Sequence, residues 1–340
     1  MAKVDFTETS VSGDLNFDTF GCNVYDGSPS TPDRRRPDRR FERQGAKGIK
    51  VNMGRGEELE FWTFKDRKSG RTTFPAPMMR ATAGEIIHIN LKANKNTHTI
   101  HMHGIEPTPF NDGVGHTSFE VGGEYTYQFQ ANRPGTYFYH CHKNTVLHFE
   151  MGMYGLLIID PSGGPGRLFE EGPAYDVEAF WVVDDVDPRY RGINHSAGLC
   201  GEDAQLNIFK PKHFMVTGIP SRRTKRNRKV KISARVGQTI LSRFVNASYS
   251  RVRTTVYGLT TEIAGIDSRQ LGGRHRPWCS PMLLEPGESF DTVTAQRRDL
   301  IFRPTEPGRY KVVFEYRDWI TGEIQDGGRG IAETVIEVTP

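Results

Sequence analysis

Long hydrophobic runs are missing from this 340-residue sequence. No stretch reaches the roughly 18 apolar residues that a membrane-spanning helix needs. The first residues, MAKVDFTETSVSGDLNF, also lack the basic-then-apolar order of a signal peptide. These absences predict a protein without a membrane span. They predict a cytoplasmic location if Met1 is the native start; the alternative is a periplasmic or secreted protein whose signal has been removed.

Cysteine is scarce, with only four residues in the chain: Cys22, Cys141, Cys200 and Cys279. The motif described below assigns Cys141 to a metal. The other three are an odd number, which argues against a disulfide framework. Free thiols favour a reducing compartment.

A large excess of basic charge is also absent, because 45 lysines and arginines face 41 acidic residues. The basic residues nevertheless cluster in two runs, Asp33–Arg43 and Ser221–Lys231. No zinc-finger, RNP or helix-turn-helix pattern accompanies these runs. We therefore interpret them as solvated loops or a subunit contact, and we expect no nucleic-acid partner.

Helical periodicity is weak throughout, whereas short segments rich in β-branched and aromatic residues alternate with Gly and Pro. Segments such as GEIIHINLKAN, GTYFYHCH and MYGLLIID in the first half, and GRYKVVFEYRDW in the second, predict strands. Two longer stretches share a rhythm, GGEYTYQFQANRPGTYFYHCH and PGESFDTVTAQRRDLIFRPTEPGRYKVVFEY. This weak internal repeat predicts an all-β chain with two copies of one β-sandwich.

Composition shifts give the predicted domain boundaries. A polar, Arg- and Pro-rich N-terminal arm occupies residues 1–50, and a first domain follows at 51–165, up to the turn signal DPSGGPG. Residues 166–210 are predicted to be a linker with one strand, VEAFWVVDDV. A second domain is predicted at 211–340.

Eight potential metal ligands lie in the segments HTIHMHG and YHCHKNTVLHFEMGM: His98, His101, His103, His140, Cys141, His142, His148 and Met153. Imidazole with thiolate and thioether favours copper. Zinc also binds Cys/His sites, but it needs four ligands and has no use for the surplus. A His₂Cys set with a weak axial methionine is the blue-copper pattern. We assign it to His98, Cys141, His148 and Met153, with Met151 as a rival axial ligand.

The remaining four histidines form two alternating pairs, His101-x-His103 and His140-x-His142. In a strand, side chains two residues apart point to the same face. Each pair therefore presents two imidazoles together, and Cys141 faces the opposite side between His140 and His142. This spacing predicts a second metal site joined to the first by a short covalent path. We interpret the other five histidines, which lack such a pattern, as ordinary residues.

These motifs resemble the copper motifs of the multicopper oxidases, a family that includes laccases and two-domain oxidases. PGTYFYHCH, NDG and FPAPMMRATAGEIIHINL fit the first domain of that family, so the resemblance is strong over about residues 74–160 and weak over 213–340. It implies two cupredoxin-like Greek-key β-sandwich domains, the second without type 1 copper ligands. The copper nitrite reductases are similar in layout, which implies a homotrimer.

The resemblance also implies roles for individual residues. His98, Cys141, His148 and Met153 would hold type 1 copper, and His101, His103, His140 and His142 a type 2/type 3-like site. Asp112, in NDG, matches an acidic residue that delivers protons near the oxygen site. The alternative is a turn residue, because Asn-Asp-Gly is a strong turn signal.

The sequence departs from the family in its second half, which has no further His-x-His set. Gly135 precedes His142 by seven residues, and Gly308 precedes Glu315 by the same number. Glu315 would therefore stand where the nitrite reductases have a ligand histidine, as a ligand or proton relay for a neighbouring subunit. The alternative is an ordinary surface or core-edge glutamate.

Three functions remain open from the sequence. The first is an oxidase, in which a small-molecule or metal-ion reductant delivers electrons near His148, expected at the surface, and dioxygen is reduced at the second site. The second is a mono- or dinuclear copper enzyme acting on a small phenolic or nitrogenous molecule. Nitrite reductase itself is disfavoured, since that family has an aspartate at the position of His101. The third is a non-enzymatic copper electron carrier.

Overall fold

The computed structural model describes residues 23–25, 36–94, 96–105, 107–115, 117–193, 208–273 and 279–340. Within them the chain forms two compact units. The first contains the residues up to Asn132, Tyr137–Ile159 and the segment from Arg189. The second contains Arg133–Thr136, Asp160–Pro188 and Phe209–Pro340.

The strands up to residue 160 build the first unit. They are β1 (Asn23–Tyr25), β2 (Arg39–Gly54), β3 (Glu57–Asp66), β4 (Ala76–Thr82), β5 (Ile86–Lys92), β6 (His101–His103), β7 (Phe119–Val121), β8 (Glu124–Gln130), β9 (Gly135–His140) and β10 (Tyr154–Asp160). Two four-stranded sheets have the orders β3-β2-β5-β8 and β4-β10-β9-β6, and β1 pairs with β7. Alternating apolar residues such as Ile87, Ile89, Tyr139 and Leu157 fill one core cluster drawn from both sheets.

The second unit has its own sheets and its own core. Its strands are β11 (Val177–Val186), β12 (His213–Val216), β13 (Ile219–Pro220), β14 (Ile232–Arg235), β15 (Ile240–Asn246), β16 (Arg251–Val256), β17 (Thr261–Ile266), β18 (Arg269–Gln270), β19 (Met282–Leu284), β20 (Ser289–Thr292), β21 (Arg297–Phe302), β22 (Gly308–Arg317) and β23 (Ile331–Thr339). One sheet has the order β13-β12-β11-β15-β21-β17-β18 with β19 also on β17, and the other has the order β14-β23-β22-β16-β20. Trp181, Phe244 and Phe314 are fully buried in the core.

Helices within the described residues are short: α1 (Pro109–Asp112), α2 (Thr145–Glu150), α3 (Ser221–Thr224), α4 (Gln325–Gly328) and a 3₁₀ helix at Pro188–Gly192. None of them has the length and apolar character needed to cross a bilayer. The prediction of an all-β chain is confirmed.

The domain boundaries drawn from the sequence stay predictions. Two segments can be compared with their predicted local structure. Strand β2 begins at Arg39, inside the range predicted to be an arm. The guanidinium of Arg43 is buried and is bonded to the Pro77 carbonyl and paired with Asp66, so this Arg-rich segment belongs to a sheet. The strand predicted within the linker is present as β11, which pairs with β12 and β15 of the second unit.

Candidate metal centre

Cys141 and two histidines come together in the first unit. The Cys141 Sγ atom lies 3.2 Å from His148 Nδ1 and 3.8 Å from His98 Nδ1. One ligand atom from each of the three residues lies within 4.8 Å of the others. Cys141 and His148 are fully buried, and His98 is 7% exposed. We call these three residues, with Met153, the first site.

Four separate pieces of backbone position the first site. His98 forms a β-bridge with Val121, and Cys141 follows the last residue of β9. Helix α2 carries His148. The Met153 N–H donates to the His148 carbonyl, and the Cys141 N–H donates to the Met153 carbonyl. Met153 packs in the same core cluster as Cys141.

The surroundings of Cys141 are apolar and closed. Burial raises the pKa of the Cys141 thiol to about 11, against backbone N–H bonds from Thr99 and Lys143 that lower it. Without a metal the sulfur therefore keeps its proton at neutral pH, and a thiolate there requires a bound cation to displace that proton. The expectation that His148 lies at the surface is wrong, because its side chain is fully buried.

Four neighbours of the first site were not found from the sequence. A Cβ atom added to Gly45 would lie 2.9 Å from His98 Nε2, so only glycine fits against that ring. Glu120 accepts hydrogen bonds from Lys143 Nζ at 2.7 Å and from Thr97 Oγ1 at 2.6 Å. Both members of this ion pair are buried, which ties the segments of His98 and Cys141 together. Of these residues, only Lys143 could have been noticed from the sequence, because it directly follows the HCH motif.

The two alternating histidine pairs lie side by side. Strand β6 pairs with β9 so that His101 stands opposite His140, as the period of two predicted. Ligand atoms of His101, His103 and His140 lie within 4.8 Å of one another. The ring of His142 lies beside them, with its centroid 5.4 Å from that of His101 and 5.7 Å from that of His140. We call these four residues the second site.

Hydrogen bonds fix which ring nitrogen can bind a metal. His140 Nδ1 lies 2.9 Å from the Cys141 carbonyl oxygen, and His101 Nδ1 lies 2.7 Å from the Asp112 carbonyl oxygen. A carbonyl only accepts, so each Nδ1 carries the proton and each Nε2 keeps its lone pair; the Nε2 atom of His140 lies 3.4 Å from His103 Nδ1. Burial, followed by the charge of His101, holds the pKa of His140 well below its usual value. The neutral imidazole is the form that binds metals.

Asp112 touches the second site through two of its oxygens. Besides the carbonyl contact, its carboxylate Oδ1 lies 3.3 Å from His101 Nδ1. Asn-Asp-Gly also forms the end of α1, with Gly113 at a φ of 70° against the Ile100 carbonyl. The turn role and the contact with His101 therefore coexist, while proton delivery stays a prediction.

Glu315 lies on β22 in the second unit, and its carboxylate accepts a hydrogen bond from Arg317 Nε at 3.0 Å. Its side chain is 24% exposed. That ion pair is what an ordinary core-edge glutamate would form. The role of ligand or relay for a neighbouring subunit stays a prediction.

Some of the remaining histidines and cysteines lie within the described residues, and others lie outside them. His88 is buried on β5 and His213 begins β12. Cys279, like Cys141, is a free thiol. The predictions for His116, His195, His275, Cys22 and Cys200 fall outside the described residues.

Residues 55–164 match the family model described as multicopper oxidase. This segment is a multicopper oxidase domain. It includes both histidine pairs and the whole first site, so the resemblance drawn from the motifs is confirmed. Among curated proteins, the L-ascorbate oxidase of Cucumis sativus is 36% identical over 119 residues, which cover 33% of this chain and 19% of that protein.

Other similarities extend beyond the oxidase domain. A copper-containing nitrite reductase of Neisseria meningitidis is 28% identical over 170 residues, which cover 49% of this chain and 40% of that protein. The blue copper oxidase of Nitrosomonas europaea superposes with a TM-score of 0.67 at 21% identity, covering 88% of this chain and 86% of that one. That likeness shows the fold. The first ascorbate oxidase matches involve only about a fifth of their own length.

The donors of the oxidase domain fit copper. A thiolate with two imidazoles and a buried thioether suits copper, whereas zinc sites use four strong donors. The four imidazoles of the second site also suit copper, and no carboxylate belongs to either ligand group in the described part of the chain.

Proposed function

We propose that this protein is a copper-dependent oxidoreductase that takes single electrons from a small-molecule or metal-ion reductant at the first site and reduces dioxygen at the second. The observation that carries the proposal is the position of Cys141. Its sulfur faces His98 and His148, while His140 and His142, its direct neighbours in the chain, belong to the second site.

Copper bound at the two sites would supply the one-electron redox chemistry at the first and multi-electron chemistry toward dioxygen at the second. The chain supplies the path between them. Cys141 and His140 are linked by a single peptide unit and by the bond from His140 Nδ1–H to the Cys141 carbonyl. This connection needs no diffusing carrier.

The four histidines of the second site would hold and orient the copper, and Asp112 would transfer protons. Its backbone carbonyl fixes the His101 tautomer, and its carboxylate, 23% exposed, can exchange protons with water. Reduction of dioxygen to water consumes protons, so a carboxylate at the solvent side of the site serves that need.

Oxygen uptake by the copper-loaded protein tests this function. Uptake that follows the concentration of a phenol or of ferrous iron is expected, and Cys141→Ser should abolish it together with the blue thiolate-to-copper absorption. His101→Ala is the complementary variant, expected to keep the blue absorption but to lose oxygen uptake. Reduction of the blue copper without any oxygen uptake in the fully loaded wild type would refute the proposal and leave an electron carrier.

A second candidate is a mono- or dinuclear copper enzyme that acts on a small phenolic or nitrogenous molecule. The presence of only two His-x-His pairs favours it, because they offer few ligands for a larger cluster. Similarity to the nitrite reductase of Neisseria meningitidis also supports it. Nitrite consumption under anaerobic conditions with the same protein would distinguish this candidate from the oxidase.

The homotrimer and the compartment are part of the proposal. The layout shared with the nitrite reductases supports a trimer, which light scattering on the copper-loaded protein would test. Fractionation of the native cells would decide between a cytoplasmic and an exported protein.

A further inference from the structure

Among the described ring contacts, a single partly exposed aromatic residue packs on the buried His148 of the first site. The indole of Trp62 meets the His148 imidazole edge to face, with centroids 5.4 Å apart and an interplanar angle of 85°. Trp62 is partly exposed, whereas His148 is fully buried. Trp62 therefore lies between solvent and a residue of the first site.

The position of Trp62 on β3 follows from alternation along the strand. Glu60, Trp62 and Phe64 share one face of β3, and their burial changes from exposed to partly exposed to fully buried. Phe64 belongs to the same core cluster as Cys141, and Trp62 packs against that cluster. The backbone N–H of Trp62 donates to the Met151 carbonyl at 2.8 Å, which places this part of β3 beside the end of α2.

Direct contact between a reductant and the residues of the first site is restricted. Cys141 and His148 are fully buried, Met153 is 1% exposed and His98 is 7% exposed. Gly45 covers the Nε2 edge of His98 so closely that a single added carbon would collide with it. A reductant of molecular size therefore needs an intermediate contact.

We propose that Trp62 is the electron-relay residue of the first site, and that the reductant it receives is an electron-rich phenol stacked on the exposed part of the indole. This inference rests on the proposed function. An aromatic ring packs favourably on an indole. Charged side chains beside the indole can form hydrogen bonds with the hydroxyl group of the phenol. Two charged residues lie beside the indole. Lys47 stands directly opposite Trp62 in the β2–β3 ladder, and Glu60 lies two residues before it on β3.

The charges beside Trp62 favour a neutral phenol over a metal-ion reductant. Lys47 and Glu60 have opposite signs, and both are exposed. The described residues contain no group of three or more acidic side chains around Trp62 that would gather a cation. A ferrous ion would therefore find no built site at this place.

The phenol gives up one electron and its hydroxyl proton and leaves as a phenoxyl radical. The electron would pass through the Trp62–His148 contact to the copper that His98, Cys141 and His148 would hold, and that copper would be the one-electron oxidant. The proton passes to solvent, and the indole is unchanged at the end.

Binding to the metal-free protein gives a test that does not depend on activity. Calorimetric titration with 2,6-dimethoxyphenol should show binding to the wild type and to Trp62→Phe, and binding about tenfold weaker to Trp62→Ala, since an aromatic contact is lost. Trp319→Ala is the matched control, because Trp319 is a 56% exposed tryptophan of the second unit. It should bind the phenol like the wild type.

Anaerobic bleaching of the blue absorption in the copper-loaded protein then tests the relay. Trp62→Ala should be bleached about tenfold more slowly by dilute phenol, and at least as fast by ferrocyanide, which does not stack. Equal or faster bleaching by phenol would show that Trp62 only shields His148 and would overturn the inference. If Trp62→Ala loses the blue absorption, Trp62→Leu replaces it. A wild type that neither reductant bleaches would refute the proposed function, while the titration would still decide whether Trp62 binds phenols.

Discussion

Removal of the buried lysine beside Cys141 should weaken both the fold and the first site. Lys143 Nζ donates to Glu120 Oε2 at 2.7 Å, and the two side chains are only 8% and 4% exposed. Thr97 donates to the same oxygen. Lys143→Met therefore leaves a buried carboxylate with one neutral donor in place of a charged partner.

The magnitude follows from the burial of the pair. Leaving one member of a buried ion pair uncompensated costs about 3–5 kcal/mol. For a unit of this size that loss lowers the melting temperature by about 10 °C. Adding Glu120→Gln to Lys143→Met removes both charges and retains an oxygen that can accept from Thr97. The double variant should therefore recover most of the lost stability.

Thermal unfolding of the metal-free protein by calorimetry measures this effect, and the blue absorption of the copper-loaded protein reports on the first site. Arg39→Met is the control, because Arg39 pairs with Glu85 while its own side chain is 45% exposed. It should cost less than about 1 kcal/mol. A single Lys143 variant as stable as this control, or a double variant no better than the single one, would refute the reasoning.

Three further predictions concern single positions. Gly45→Val should displace His98, because its Cβ would lie 2.9 Å from Nε2; the blue absorption should weaken while copper at the second site remains. Asp112→Asn should keep the turn but slow oxygen reduction on the order of a hundredfold, with anaerobic bleaching of the first site unchanged. Burial raises the pKa of Asp185 to about 6 from its usual 3.8. Between pH 3.8 and about 6 the folded state therefore binds more protons at Asp185 than the unfolded state does. The stabilisation from this proton is full below pH 3.8 and is lost as the pH rises through about 6. Asp185→Asn should remove that loss, worth up to about 3 kcal/mol, in melting curves between pH 4 and 8.

Each of these variants has an outcome that contradicts its prediction. An unaltered blue absorption in the Gly45 variant would mean that the His98 ring moves freely. Normal oxygen reduction in the Asp112 variant would leave that residue with its turn role alone. Identical pH profiles of melting temperature for wild type and the Asp185 variant would show that this carboxyl is already ionised in the folded protein.

Local patterns were enough to predict which histidines and which cysteine come together. The alternation of HMH and HCH placed four imidazoles on one face because strand side chains have a period of two, and β6 and β9 bring those pairs together. The same alternation put Cys141 on the opposite side of the strand. Strong β-branched and aromatic segments likewise predicted β5, β8, β9 and β10.

Contacts between distant segments could not be predicted. Residues 39–50 are rich in arginine and look solvated, yet Arg43 finds its partners more than twenty residues away at Asp66, Pro77 and Tyr139. Helix α2 is six residues long, too short to show a helical period. Trp62 lies 86 positions before His148 in the chain, so nothing in the sequence beside either residue indicates that they touch.

Copper per chain, measured by mass spectrometry of metals in the loaded wild type and in Cys141→Ser, tests the two coupled sites most directly. The account predicts more than one copper per wild-type chain, and a loss of one copper together with the blue absorption in the variant. A single copper per wild-type chain would show that the four imidazoles of the second site hold no metal, and would contradict the account.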